Sequence, residues 1–168
     1  MNYIQSIARI FCGHQTLIDE LKDGRLEFYE TYQPTSTQQI EFADLYKLLR
    51  LYFPKADLYL GERYRFLCHY DDIAVFLAQD QTNKFEYIAD KKEIPSYDCN
   101  VFANRLLGQF SVPGWADLCF GKVWLTIPSH ALNCMINQDK DFYYVEPQSD
   151  ELLEYNHYEP NNVRFVEM

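Results

Sequence analysis

The sequence is poor in positive charge: 15 lysines and arginines stand against 25 aspartates and glutamates, for a formal net charge of −10. That shortage excludes a general nucleic-acid binder, because neutralising phosphates takes clustered Lys and Arg. It equally disfavours docking on anionic membranes. No apolar run approaches the roughly 20 residues of a membrane-spanning helix. The opening stretch "MNYIQSIARIFCGHQTLIDEL" lacks the charged, then apolar, then small-residue layout of a secretory signal, so a cytoplasmic location is expected. Internal repeats and low-complexity tracts are absent. The five cysteines (Cys12, Cys68, Cys99, Cys119 and Cys134) are odd in number and scattered, which is no disulfide framework. In a reducing compartment they are expected to be mostly free thiols.

Aromatic residues, by contrast, make up 17% of the 168 residues, well above what a disordered chain carries. The length suits one domain with a core large enough to need neither disulfide nor metal. The expected organisation is a single domain over 1–168, with an N-terminal helical part of unassigned role (1–70) and a core (71–168). "IEFADLYKLLRLYF" places Phe42, Leu45, Leu48, Leu49 and Tyr52 at helical spacing, and Pro54 stops it. "YDDIAVFLAQD" opens on two aspartates and carries Ile73, Phe76 and Leu77 as a second helix. "YDCNVFANRLLGQF" is a third, with Asp98 as N-cap. After "VPGWAD" the pattern changes to strands: 119–127 ended by Pro128, then 130–136 and 142–146 joined by the polar loop "NQDKD", with "LLEYN" and "VRFVEM" adding two more. Helices first and an antiparallel sheet after is an α+β layout.

Three residues in this layout carry chemistry. Cys99 falls in the first turn of a helix, where the macrodipole and unpaired N–H groups favour a thiolate and offer donors to an oxyanion. His130 opens one strand of the predicted hairpin and Glu146 ends the other. Folding the hairpin about residues 138–140 brings Glu146 opposite Leu132, one same-face step from His130, within reach of a carboxylate–imidazole hydrogen bond. An odd-length loop keeps the two on one face, and an even-length loop separates them unless a bulge intervenes.

The strings "YDCNVFA", "GW…FGKVW", "HALN" and "EPQSDE", with "FLAQDQTNKFEYI" upstream, resemble the cysteine-protease-like C-terminal domain of certain fungal agglutinins and its single-domain bacterial and phage relatives. The resemblance covers residues 71–150. It implies a papain-like or transglutaminase-like core in which helices pack on the sheet. It also implies a cysteine hydrolase, a protease or amidase, acting on a protein or peptide substrate through a thioester. Cys99 would be the nucleophile, His130 the base and acid, and Glu146 the group orienting the imidazole. With an amine in place of water, the same site would be an acyltransferase. Calcium is linked to the activity in the fungal proteins, but Asn100 and Val101 stand where acidic residues follow their cysteine. No cofactor is therefore expected, and Asn100, Asn133 and Asp150 are the nearest candidates should calcium bind.

Each of these residues also has a plain structural reading: a packed thiol, a satisfied strand histidine, a solvated strand-end carboxylate. Trp115 and Asn133 are candidate substrate-binding residues, and Trp115 serves equally as a turn anchor. Trp124 flanks the proposed site in sequence. "FCGH" and "LCHY" bring Cys12, His14, Cys68 and His69 together in composition, at spacings tighter than zinc ligands use. The alternative function is a catalytically inactive protein-binding module of phage or bacterial origin, whose acidic surface suits a basic partner. Oligomeric state is not legible.

Overall fold

A computed structural model describes residues 32–89 and 96–168. The chain divides into two compact units, Met1–Gln33 and Pro34–Met168, and every element named below belongs to the second. Among the described residues there are eight strands and three α-helices. Strands β1 (Gln39–Glu41) and β3 (Tyr64–Phe66) form a two-stranded antiparallel ribbon. The remaining six form one sheet in the order β2-β8-β4-β5-β6-β7. These are β2 (Asp57–Tyr59), β4 (Phe120–Leu125), β5 (His130–Ile136), β6 (Phe142–Glu146), β7 (Glu151–Glu154) and β8 (Val163–Glu167). All pair antiparallel except β2, which runs parallel to β8.

The expected α+β layout, N-terminal helices packed on a C-terminal antiparallel sheet, is corrected by this arrangement. Among the described residues the six-stranded sheet is the largest element, and β2, from the first half of the chain, joins it beside the last strand. Strands β1, β2 and β3 are three residues each, too short for a period-two pattern to stand out against the helix between them.

The helices form where their apolar spacing demands. In α1 (Phe42–Tyr52) Leu45 and Leu49 are buried one turn apart while Leu51 points to solvent. Phe53 follows into the core, and Pro54 prevents continuation. In α2 (Tyr70–Gln79) Ile73, Phe76 and Leu77 are buried together with Asp72, whose carboxylate accepts from Thr35 N at 2.7 Å and from the Thr35 hydroxyl. Helix α3 (Cys99–Phe110) begins as its sequence dictates: Asp98 Oδ1 accepts from the Asn100 and Val101 amides. Its buried positions, Phe102, Ala103, Leu106 and Phe110, make one stripe against β4 and β5.

Alternation along the strands sorts the two sheet faces. Asn133 Nδ2 donates to Ala103 O of α3 at 3.0 Å, and Lys122 Nζ donates to Asn104 Oδ1 at 2.7 Å, so these positions lie on the α3 face. There Phe110 stacks on Phe120 at 3.7 Å between ring centroids and meets Phe76 and Trp115. On the opposite face Phe142 and Tyr144 of β6 pack against Phe53, with centroids 4.8 and 6.4 Å away. His130, Leu132 and Cys134 alternate with Asn133 onto that second face.

Candidate functional site

The hairpin closes as its sequence suggests: Asn133 pairs with Val145 and Ile136 with Phe142, a register that sets Glu146 opposite Leu132. His130 Nε2 lies 2.7 Å from Glu146 Oε2, both side chains being largely buried. The other carboxylate oxygen, Oε1, accepts from Gln148 N and from the Gln148 side-chain amide. Cys99 stands at the first position of α3, half-buried, as a free thiol. No hydrogen bond joins its sulfur to the His130 ring; the electrostatic neighbour that marks its position is Lys122, on the α3 face. The acid–imidazole pair and the thiol are thus not one hydrogen-bonded unit.

The two expected substrate-binding residues are both buried. Trp115 is fully buried, its ring 4.7 Å from Phe76 and 5.6 Å from Phe110, which makes it a core anchor at the floor of a depression it shares with Phe110 and Phe120. Asn133 is fully buried too, and its amide ties α3 to β4 by donating to Ala103 O and Gly121 O. The calcium candidates sit in separate environments: Asn100 Oδ1 accepts from Lys122, the Asn133 amide is spent on backbone, and Asp150 Oδ2 accepts from Asn83. Calcium takes six to eight oxygens at one point, so this set does not fit it. Cys12 and His14 lie outside the described residues, and Cys68 is buried with its thiol donating to Cys119 O. Among the described residues no three His, Cys, Asp or Glu side chains converge on a metal-sized point.

A different constellation emerges from cross-strand register. Asp57 of β2, Phe165 of β8 and Trp124 of β4 are direct neighbours across the sheet, and so are Tyr59, Glu167 and Lys122. These two adjacent rows share the α3 face and, with Asn100 from the first turn of α3 and Arg164, line an open depression of about 560 Å3. Arg164 is the extra residue of a bulge, since Leu125 pairs with Val163 while Trp124 pairs with Phe165. The Trp124 and Phe165 rings are near-parallel at 6.2 Å, and Tyr59 meets Phe165 edge-on at 6.0 Å with 59% of its surface exposed. Lys122 Nζ lies 5.8 Å from the Trp124 centroid while bound to the side-chain oxygens of Asn100 and Asn104. Burial lowers the Lys122 ammonium from its ordinary value, and the charges of Glu167, Cys99 and Asp98 offset part of that. Gly121 makes the arrangement possible: a Cβ there would sit 2.1 Å from Glu167 O, so only glycine lets the end of β8 pass this close.

No protein-family model matches the chain, and no curated protein matches its sequence. Solved structures do match. PSL1a in complex with E64 superposes with a TM-score of 0.62 at 17% identity, over 79% of this chain and 52% of that one. A lectin from Polyporus squamosus, bound to the human-type influenza-binding epitope Neu5Acα2-6Galβ1-4GlcNAc, gives 0.59 at 16% identity, over 79% and 50%. The fold resembles that of a lectin chain. The chain spans about half the length of each of these lectin chains, and at such identities the likeness is one of fold.

These neighbours overturn the reading taken from the short motifs. The chains that match are lectins, not a cysteine-protease-like domain, and what one of them holds is a glycan, not a protein or peptide substrate. The papain-like or transglutaminase-like core, the cysteine hydrolase with its thioester chemistry, and the inactive protein-binding alternative are accordingly left without support. The physical reason lies in what the motif residues do for the fold itself. Asp98 before Cys99 is a helix cap, and His130 with Glu146 clasps a hairpin, so both patterns have a structural cause. Sequence reading noticed Trp124 but missed Tyr59, Lys122 and Phe165. The available signal was a lone lysine inside the apolar strand "FGKVWL", two positions from a tryptophan and hence on its face.

Proposed function

We propose that this chain is a carbohydrate-binding module whose ligand rests on the Tyr59–Phe165–Trp124 surface. A pyranose presents an apolar C–H face beside a rim of hydroxyls, so its receptor must offer an aromatic platform bordered by fixed polar groups. The observation that carries the reading is that register sets three aromatic rings beside Asp57, Asn100, Lys122, Arg164 and Glu167 in one open depression. The carboxylates accept from sugar hydroxyls, the asparagine amide donates to them, and the cations donate. The lectin fold of the neighbours supports the same reading. The test is a glycan array probed with the full chain and with Trp124→Ala, using Neu5Acα2-6Galβ1-4GlcNAc among neutral and sialylated probes. Saturable binding to some glycans, lost in the folded Trp124→Ala variant, is expected. A folded protein that binds none of them, or a variant that binds equally well, overturns the proposal.

A further inference from the structure

The aromatic surface does not end at Tyr59 and Glu167. Both residues also wall a second depression, of about 470 Å3, floored by Trp115, Phe110 and Phe120. Phe120, Lys122 and Trp124 alternate onto one sheet face, so the two depressions follow one another along β4. Helix α3 walls the same course. Asn100, Asn104, Leu107 and Ser111 recur at intervals of four, three and four, which puts them on one flank of the helix. Asn100 lines the first depression, Leu107 and Ser111 the second, and between them Asn104 accepts from the Lys122 ammonium. From Asn100 to Ser111 the helix advances about 16 Å, or three turns.

The second depression differs from the first in its chemistry. Its three floor rings are at most 4% exposed, and the half-buried Leu107 adds an apolar wall. Its one cation is Arg65, fixed by donating Nη1 to Ala116 O at 2.8 Å and to Leu118 O at 3.2 Å. Both Nη1 hydrogens are thereby spent, while Nε and Nη2 keep three N–H groups without a partner among the described residues. That remaining planar fork matches a carboxylate through two parallel hydrogen bonds. Glu167 stands at the junction of the two depressions, where a sugar offers it hydroxyls. A pyranose extends a chain by roughly one helical turn, so three in a row fill the trench. We infer that the glycan is an oligosaccharide whose acidic sugar enters the second depression, its carboxylate on Arg65 and its C–H face against Leu107 and the aromatic floor. This rests on the glycan-binding reading and names the class of glycan.

Calorimetric titration of the full chain with three probes tests it: Galβ1-4GlcNAc, Neu5Acα2-6Galβ1-4GlcNAc, and the methyl amide of that trisaccharide, which keeps its length and removes its charge. The acid is expected to bind about tenfold more tightly than the amide, the scale of a charge-assisted pair. Arg65→Gln erases that preference and leaves the disaccharide unaffected. Ser111→Tyr, at an exposed position on the rim, fills the second depression and lowers the trisaccharide to the affinity of the disaccharide. It carries the test should Arg65→Gln fail to fold. Trp124→Ala, in the first depression, loses all three probes. Equal binding of acid and amide, or a preference that survives in folded Arg65→Gln or in Ser111→Tyr, overturns the inference. The glycan-binding reading then still stands if Trp124→Ala abolishes binding of the disaccharide. No binding of any of the three overturns the inference, and a blank glycan array overturns the reading with it.

Discussion

Asp150→Asn is expected to stabilise the protein at neutral pH and to do nothing in acid. Asp150 sits at a positive φ of 62°, a conformation that Asp and Asn tolerate better than other side chains. Its Oδ2 accepts from Asn83 Nδ2, while its Oδ1 is buried without a partner. Burial, then the charge of Asp80, push its carboxyl up from 3.8 to about 6, with Lys84 acting weakly the other way. Because the folded pKa lies above the unfolded one, the native state binds more protons between the two values. Stability is fully present below about 3.8 and declines as pH rises through 6. A shift of this size corresponds to about 3 kcal/mol at about 1.4 kcal/mol per pKa unit. Asp150 is partly exposed, so solvent screening brings this to about 1–2 kcal/mol. Asparagine keeps the shape, accepts the same Asn83 hydrogen bond and is never charged. In urea denaturation the variant should exceed the wild type by about 1–2 kcal/mol at pH 7.5, closing to a few tenths near pH 4. A variant less stable at pH 7.5, or a gap unchanged between the two pH values, refutes the reasoning.

Other substitutions separate cap, core, thiol and strand crossing. Asp98→Ala, by leaving the Asn100 and Val101 amides without their cap, should cost about 1 kcal/mol by chemical denaturation, with Asp98→Ser recovering most of it. Phe110→Ala removes a ring that touches Phe76, Trp115 and Phe120, and a loss of about 3–5 kcal/mol in the same assay is expected. Among Cys68, Cys99, Cys119 and Cys134, iodoacetamide followed by peptide mapping should modify Cys99 first. The other three are buried, and burial raises their thiols, that of Cys119 to about 12. Gly121→Ala should destabilise the fold and abolish glycan binding together, because its Cβ collides with the backbone that presents Glu167.

What was legible in the sequence had a local cause. The Asp98 cap is chemistry within four residues, so the start of α3 could be placed to the residue. The β5–β6 hairpin is two β-rich runs about a polar loop, and its strands span His130–Ile136 and Phe142–Glu146 as their composition predicts. The fold class was not legible, because β1, β2 and β3 leave three-residue traces and the pairing of β2 with β8 joins opposite ends of the second unit. The aromatic surface was invisible for the same reason: its two rows cross β2, β8 and β4, and no strand holds more than one of its three rings. The His130–Glu146 contact was legible, but its purpose was not. An acid–imidazole pair at the base of a hairpin reads alike in sequence whether it works on a substrate or on the strand register.

That pair can be assigned a role by energetics. Pairing of β5 with β6 ends at Asn133 and Val145, and beyond it side chains bridge the strand ends. There His130 bonds one carboxylate oxygen of Glu146, and Gln148 bonds the other by both its backbone and its side-chain amide. A carboxylate bonded on both oxygens is fixed in orientation, which is what a clasp on register requires, since a one-residue slip would turn every β6 side chain to the wrong face. A double-mutant cycle of His130→Ala and Glu146→Ala is expected to give a coupling of about 1 kcal/mol, the scale of a partly buried hydrogen-bonded pair. The same variants should leave glycan binding unchanged, because strand alternation puts both residues on the face away from Trp124 and Lys122. Additive losses, with no coupling, would show that the register holds without the clasp. Loss of glycan binding in either folded variant would instead place the pair within the ligand surface.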